Sequence, residues 1–199
     1  ESAEGQILAL VQNGARVNEA QQGANVEVIV NQSPFYGESG GQKGDAGVIK
    51  TANGAVIAVT DTQRETDGLI VHIGKVEKGT VKTGDDVLLA VNGDHRAGLR
   101  AHHSATHLLH EALRRRLGEH VAQKGSLVAH DRLRFDFAQP VPVSSEALAD
   151  VEAEVNKRIR MNQEIETRLM TPQEAVDQGA RALFGEKYGD EVRALFMGR

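Results

Sequence analysis

The chain has no cysteine and no tryptophan, only four prolines among 199 residues, and an aromatic content of 4%. Without cysteine there is no disulfide, no thiolate nucleophile and no Cys-rich zinc site within these residues. The reducing cytoplasm is the compartment that suits such a chain. So few aromatics exclude a platform on which bases stack. No apolar run approaches the roughly 20 residues of a membrane helix, so no membrane partner is expected. The opening ESAEGQILAL has neither the basic start nor the apolar core of a signal peptide. What remains is 40% apolar and 26% charged, enough to fold as one large domain or two small ones. Glycine, at 21 residues, points to turns and tight strands.

The formal net charge of −5 argues against a general nucleic-acid binder. Its distribution says more. Residues 1–92 carry −5, residues 93–134 carry +4, and residues 135–199 carry −4. The middle segment is a basic island that attracts phosphate through a salt-screened field. A solvated helix face with ordinary arginines is the alternative.

The chain divides near residue 95. The first part reads as short strands, at Gln6–Val11, Val26–Asn31, Ala55–Thr60, Leu69–Ile73 and Val87–Val91. Turn signals such as Asn53-Gly54, Asp67-Gly68 and Gly84-Asp85 separate them, which predicts a small barrel or sandwich. The second part mixes elements. A long helix is expected from Asp94 to Leu117, with an apolar stripe through Leu109, Leu113 and Leu117, Leu108 and Ala112 beside it, and Gly118 as its stop. Strands are expected at Gly125–Ala129, Arg132–Phe137, Gln163–Met170 and Glu191–Met197. Ser144-Ser145-Glu146 opens a second helix whose stripe is Leu148, Val151, Val155 and Ile159. Thr171-Pro172-Gln173-Glu174 has the form of a capping box with proline at the first helical position. The expected class is α+β: a β-barrel domain over residues 1–94 and an α+β core over residues 95–199.

Five of the eight histidines fall between His95 and His110. In His103-Ser104-Ala105-Thr106-His107 the two histidines stand one helical turn apart, a spacing that can chelate a divalent cation. His110 falls near His103 on the helical wheel, and Thr106 borders the group. Ser104 occupies the place where a zinc protease has its glutamate base, so that chemistry is excluded. Two histidines alone do not complete a zinc site, and exposed, unligated rings are the plain alternative.

The segment Ser33-Pro34-Phe35-Tyr36-Gly37-Glu38-Ser39-Gly40-Gly41-Gln42-Lys43-Gly44-Asp45-Ala46-Gly47 holds five glycines. It lacks the spacings of the usual phosphate-binding loops. It reads as a tight loop in which Gly40-Gly41 takes positive φ or admits another backbone, with Phe35 and Tyr36 pinning it to the core.

Three motifs in order, S-P-F-Y-G-E-S-G-G-Q-K-G-D-A-G, H-S-A-T-H-L-L-H-E-A-L and A-Q-K-G-S-L-V-A-H-D-R-L-R-F-D-F, resemble the editing region of the alanyl-tRNA synthetase family. The tail A-L-F-G-E-K-Y-G-D-E-V-R-A-L-F-M-G is similar to that family as well. Free-standing editing proteins and the editing domain of threonyl-tRNA synthetase share the histidine motif more loosely. The resemblance implies a piece of a larger alanine ligase whose ATP-dependent aminoacylation domain precedes Glu1. It also implies a β-barrel followed by an editing core that is incomplete at its C-terminal end. Zinc is implied as cofactor, held by His103 and His107 and by a Cys and a His expected beyond Arg199. Roles near the substrate are implied for Thr106 and Gln123. His102 stands where the family often has Asn.

The implied reaction is hydrolysis of the ester of Ser- or Gly-tRNA-Ala. An apolar pocket built for alanine rejects serine by a factor on the order of 100 and cannot exclude glycine by size. A second site can test for the hydroxyl directly. Thr106 can donate and accept for that purpose, while Gln123 can orient the ester or a water. Zinc would activate water or anchor the aminoacyl group. Arg96, Arg100, Arg114, Arg115, Arg116 and Lys124 are the candidate contacts to acceptor-stem phosphates of tRNA-Ala. A binding module without catalysis and a purely structural lobe are the competing readings.

Overall fold

A computed structural model describes residues 1–180 and 189–197. The A-L-F-G-E-K-Y part of the tail motif and Gly198 lie outside the described residues. The chain folds as two compact units, Glu1–Val151 and Glu152–Arg199.

The first unit opens with β1 (Ser2–Gln12), β2 (Ala15–Val17), β3 (Glu19–Gln21), β4 (Asn25–Val30), β5 (Gly47–Thr51), β6 (Val56–Arg64), β7 (Ile70–Lys78), β8 (Thr80–Lys82) and β9 (Asp86–Val91). Six of these close on themselves in the order β1-β4-β7-β6-β5-β9, with β9 returning to pair with β1. All the pairings around this ring are antiparallel. Closure removes the free edges that an open sheet would expose. Alternation places Val26 and Val28 of β4, and Val87, Leu89 and Val91 of β9, inside. Ile7, Leu10, Ile49, Ile57 and Val76 complete a core that is 0–1% exposed at each of these positions. Burying a side chain of this size contributes about 1.5–3 kcal/mol. Each of the five expected strands is present, and several run longer than expected, since β6 and β7 extend through Arg64 and Lys78. The short strands β2, β3, β5 and β8 are additions to that expectation. β2 follows a tight Asn13-Gly14 turn with φ of 53° and 76°, the conformation in which the twist of a two-residue hairpin fits its strands.

The second part of this unit begins with α1 (Gly93–Leu117), 25 residues long. The Asn92 side chain accepts from the His95 amide at 3.1 Å, and Gly118, at φ 118°, stops the helix. Arg114, Arg115 and Arg116 occupy the last turn, where the helix dipole favours cations. The hairpin β10 (Gln123–Val128) and β11 (Leu133–Phe137) packs on α1. The buried stripe of α1 is Leu99, Thr106, Ala112 and Leu113. Leu108, Leu109 and Leu117 are half-buried, so the apolar face is turned from the expected one and includes Thr106.

Helix α2 (Ser145–Met161) begins where Ser144 Oγ accepts from the Ala147 amide at 3.2 Å. Its buried residues are Ala147 and Val151. The expected stripe holds only in its middle: Val151 is buried and Val155 half-buried, whereas Leu148 and Ile159 are both 51% exposed. In the second unit, β12 (Ile165–Met170) pairs antiparallel with β13 (Val192–Met197). Between them lies α3 (Pro172–Asp177), opened by the capping box of Thr171 and Glu174 with Pro172 in the first turn. Met170, Ala175 and Ala194 form the small core. The architecture is α+β, with a closed six-stranded barrel and three helices among the described residues.

Candidate functional site

The site is assembled by the glycine-rich loop between β4 and β5. Phe35 is 4% exposed and joins the barrel core, whereas Tyr36 stays at the surface and donates from its hydroxyl to Ser39 O at 3.1 Å. Of the two aromatics, only Phe35 pins the loop. Gly40 and Gly41 have φ of 59° and 83°. A Cβ at Gly41 would lie 2.6 Å from the carbonyl oxygen of Ser126, so both expected uses of glycine operate together. The loop then meets the end of β10 in a single parallel bridge between Gln42 and Val128. The Val128 amide donates to Gly41 O at 2.8 Å, and the Lys43 amide donates to Val128 O at 2.9 Å. Gln42 is thereby held between the barrel and α1.

From this position Gln42 reaches the helix. His103 Nδ1 and Gln42 Oε1 share a hydrogen bond at 2.5 Å. The rings of His103 and His107 lie side by side, with centroids 5.1 Å apart and planes 28° from parallel. Both histidines are largely exposed, but crowding around the His107 ring removes enough water to lower its pKa, and charge on His103 or His110 would lower it further. A neutral imidazole is the form that binds a metal. The His110 ring packs 5.1 Å from Phe135 of β11, and its Nε2 faces Val121 O at 3.4 Å. No set of three or more His, Cys, Asp or Glu side chains placed to hold a metal occurs among the described residues. The donor set present is therefore two imidazoles.

Thr106 is 7% exposed, and its hydroxyl donates to His102 O in the preceding turn at 2.8 Å. Its oxygen remains available as an acceptor. Gln123 is exposed at the start of β10 and donates to Ser126 Oγ at 3.2 Å. Ser126 is the residue on which Gly41 rests, so Gln123 and the histidine pair are linked through one loop contact.

The basic residues divide into engaged and open. Arg96 is committed to the barrel. It donates from Nε to Asp45 Oδ1 at 2.9 Å and from a terminal nitrogen to Pro34 O at 2.9 Å, and it pairs with Glu1 at 2.5 Å. Asp45 is fully buried, and its carboxylate beside the guanidinium raises the Arg96 pKa. Arg114 donates to Glu119 O and Val121 O at 2.6 and 3.0 Å, closing the turn after α1. Arg115 pairs with Glu111 at 2.7 Å and Arg116 with Asp150 at 2.9 Å. Arg100 and Lys124 are exposed and have no ion-pair partner among the described residues.

Two residues of the site lie outside those the sequence singles out. Gln42 is visible there only as part of the glycine-rich loop, and Asp45 only as an acid between glycines. The signal for both lies in the close glycine contacts, which demand a second backbone nearby.

Residues 1–95 match the family model of class II (A) tRNA synthetases. Over its whole length the chain is also similar to curated alanine–tRNA ligases. It is 59% identical to that of Granulibacter bethesdensis and 60% identical to that of Paracoccus denitrificans, each over 198 residues. All of this chain is covered in both comparisons, and it spans 22% of the length of either relative. The chain is thus homologous along its full extent to about a fifth of an alanine–tRNA ligase.

Proposed function

We propose that this chain is the editing region of an alanine–tRNA ligase and hydrolyses the ester of Ser- or Gly-tRNA-Ala during translation in the cytoplasm. The ligase as a whole would join alanine to tRNA-Ala with ATP at a domain outside residues 1–199. The observation that carries this reading is the paired rings of His103 and His107, backed by Gln42, in a chain so similar to these ligases. The absence among the described residues of a helix long and apolar enough to cross a membrane is compatible with it.

The two imidazoles suit zinc. His103 has one nitrogen engaged with Gln42, and the partial loss of water around the His107 ring favours its neutral form. Zinc needs three or four protein ligands, so the remaining ones come from residues other than those described. When bound, zinc would anchor the aminoacyl group or polarise a water for attack on the ester. Thr106, with its proton given to His102 O, offers a lone pair to the hydroxyl of a seryl group. Alanine has no such hydroxyl, which makes this contact a test of the wrong amino acid. Gln123 orients the ester carbonyl or the attacking water. The ester is already activated, so positioning supplies much of the remaining rate. Water adds to the carbonyl carbon, the bond to the ribose oxygen breaks, and that oxygen takes a proton.

Deacylation of Ser-tRNA-Ala by the complete ligase tests this. Replacing His107 by Ala is expected to cut the rate about 100-fold or more, with aminoacylation by alanine unchanged. Thr106→Val is expected to slow seryl hydrolysis by roughly tenfold. Equal deacylation rates in the parent and the His107→Ala protein would remove the pair from the mechanism.

A further inference from the structure

We infer that Gln42 is a positioning residue for the histidine pair: its side-chain carbonyl holds His103 in the Nδ1-protonated tautomer and leaves Nε2 to a cation. The inference rests on the metal reading above, but its first test does not need the metal.

The backbone comes first. Gly41, at φ 83°, sits against the Ser126 carbonyl. The Gly41 carbonyl before Gln42 and the Lys43 amide after it are tied to Val128 by bonds of 2.8 and 2.9 Å. This anchoring fixes the backbone from which the Gln42 side chain reaches His103. In this orientation of the amide, Oε1 is an acceptor only and faces the His103 nitrogen at 2.5 Å, which assigns the proton to that nitrogen. A neutral imidazole has one N–H, so Nε2 then holds the lone pair. Among the described residues Nε2 of His103 has no protein partner, and the His107 ring lies alongside. An outer contact that fixes tautomer and ring orientation is how proteins raise the affinity of a histidine for metal. The barrel loop thereby sets the chemistry of a residue on α1, more than sixty positions away in sequence.

Long-range proton–nitrogen correlation spectra of the His103 ring in the metal-free chain, at about pH 8.5 where imidazole is neutral, read the tautomer directly. The parent is expected to show protonated Nδ1. Gln42→Leu is expected to shift the ring toward protonated Nε2, and Gln42→Glu to retain Nδ1–H. Gly41→Ala, which keeps the glutamine but pushes the loop from Ser126, is expected to behave like Gln42→Leu. Backbone amide spectra confirm that each variant is folded. Titration of the complete ligase with zinc then measures affinity, expected to fall about 10–100-fold in Gln42→Leu and to recover in Gln42→Glu. Protonated Nε2 in the parent, an unchanged tautomer in Gln42→Leu, or equal zinc affinity in the parent and Gln42→Leu would overturn the inference. A complete ligase that binds no zinc, beside a chain that shows Nδ1–H, would overturn the metal reading instead, and with it the role of Gln42 toward a metal, while the Gln42–His103 contact stands.

Discussion

Asp45 is fully buried with two partners, the Tyr36 amide at 2.6 Å and the guanidinium of Arg96. Removing Asp45 leaves the largely buried Arg96 guanidinium with only Glu1 and the Pro34 carbonyl, and the Tyr36 amide without its acceptor. Asp45→Ala is therefore expected to cost about 3–5 kcal/mol in urea unfolding, and Asp45→Asn less, because it keeps an acceptor for Tyr36. Arg96 stands among the phosphate contacts expected from the sequence, but its guanidinium is occupied by the barrel. His72 makes a second residue-level prediction. It is fully buried, donates from Nδ1 to Val28 O at 3.0 Å and accepts at Nε2 from the Ser33 hydroxyl at 2.7 Å. Burial lowers its pKa below the ordinary 6.5, against the smaller opposing effect of the Val28 bond. The unfolded chain therefore binds the extra proton. The stability held by neutral His72 is complete above 6.5 and is lost as the pH falls from there toward the folded value. Urea midpoints measured between about pH 7.5 and about pH 5 should fall in the parent and fall less steeply in His72→Gln. Parallel slopes would show that another group governs this range.

At the scale of elements, the ends of α1 and α3 are legible in the sequence because their signals are local. Gly118 stops one helix and the Thr171–Glu174 box opens the other. Thr171→Ala is expected to destabilise the second unit by about 1 kcal/mol, measurable as faster amide exchange in α3. The faces of the helices are less legible. A wheel shows which residues are apolar but not which neighbour the helix will meet. On α1 the hairpin and loop select Leu99, Thr106 and Leu113, one stripe of near-sevenfold spacing, and leave Leu109 half-covered. On α2 the buried side is Ala147 and Val151, not Leu148 and Ile159. Leu113→Ala should cost about 2–5 kcal/mol, since it empties a well-covered position. Leu109→Ala should cost clearly less by the same urea measurement. The strands β2, β3 and β8 leave no mark in the sequence because three residues are too few to show a period of two.

For the molecule as a whole, the proposed partner is tRNA-Ala, and the basic segment 93–134 is the part whose charge suits its phosphates. The structure sorts the six candidate basic residues by what already holds them. Arg100 and Lys124 are open, whereas Arg96 and Arg114 serve the fold. Replacing Arg100 and Lys124 together by Glu is expected to weaken tRNA binding and to flatten its salt dependence by about one unit of slope per residue. Binding isotherms at several salt concentrations check this, and an unchanged slope would make these two side chains ordinary surface charges.

Five of the six barrel strands, the long helix, its stop and the one-turn spacing of His103 and His107 were determined by the sequence alone. Each depends on residues close together in the chain, whose periodicity and backbone preferences act before any packing occurs. The partners of those residues were decided only by the tertiary structure. Gln42 meets His103, Asp45 meets Arg96 and Gly41 meets Ser126 because closing the barrel carries one loop onto a helix and hairpin distant in sequence. No local pattern encodes such a meeting, since it arises from the geometry of the closed sheet and the covering of its exposed backbone groups.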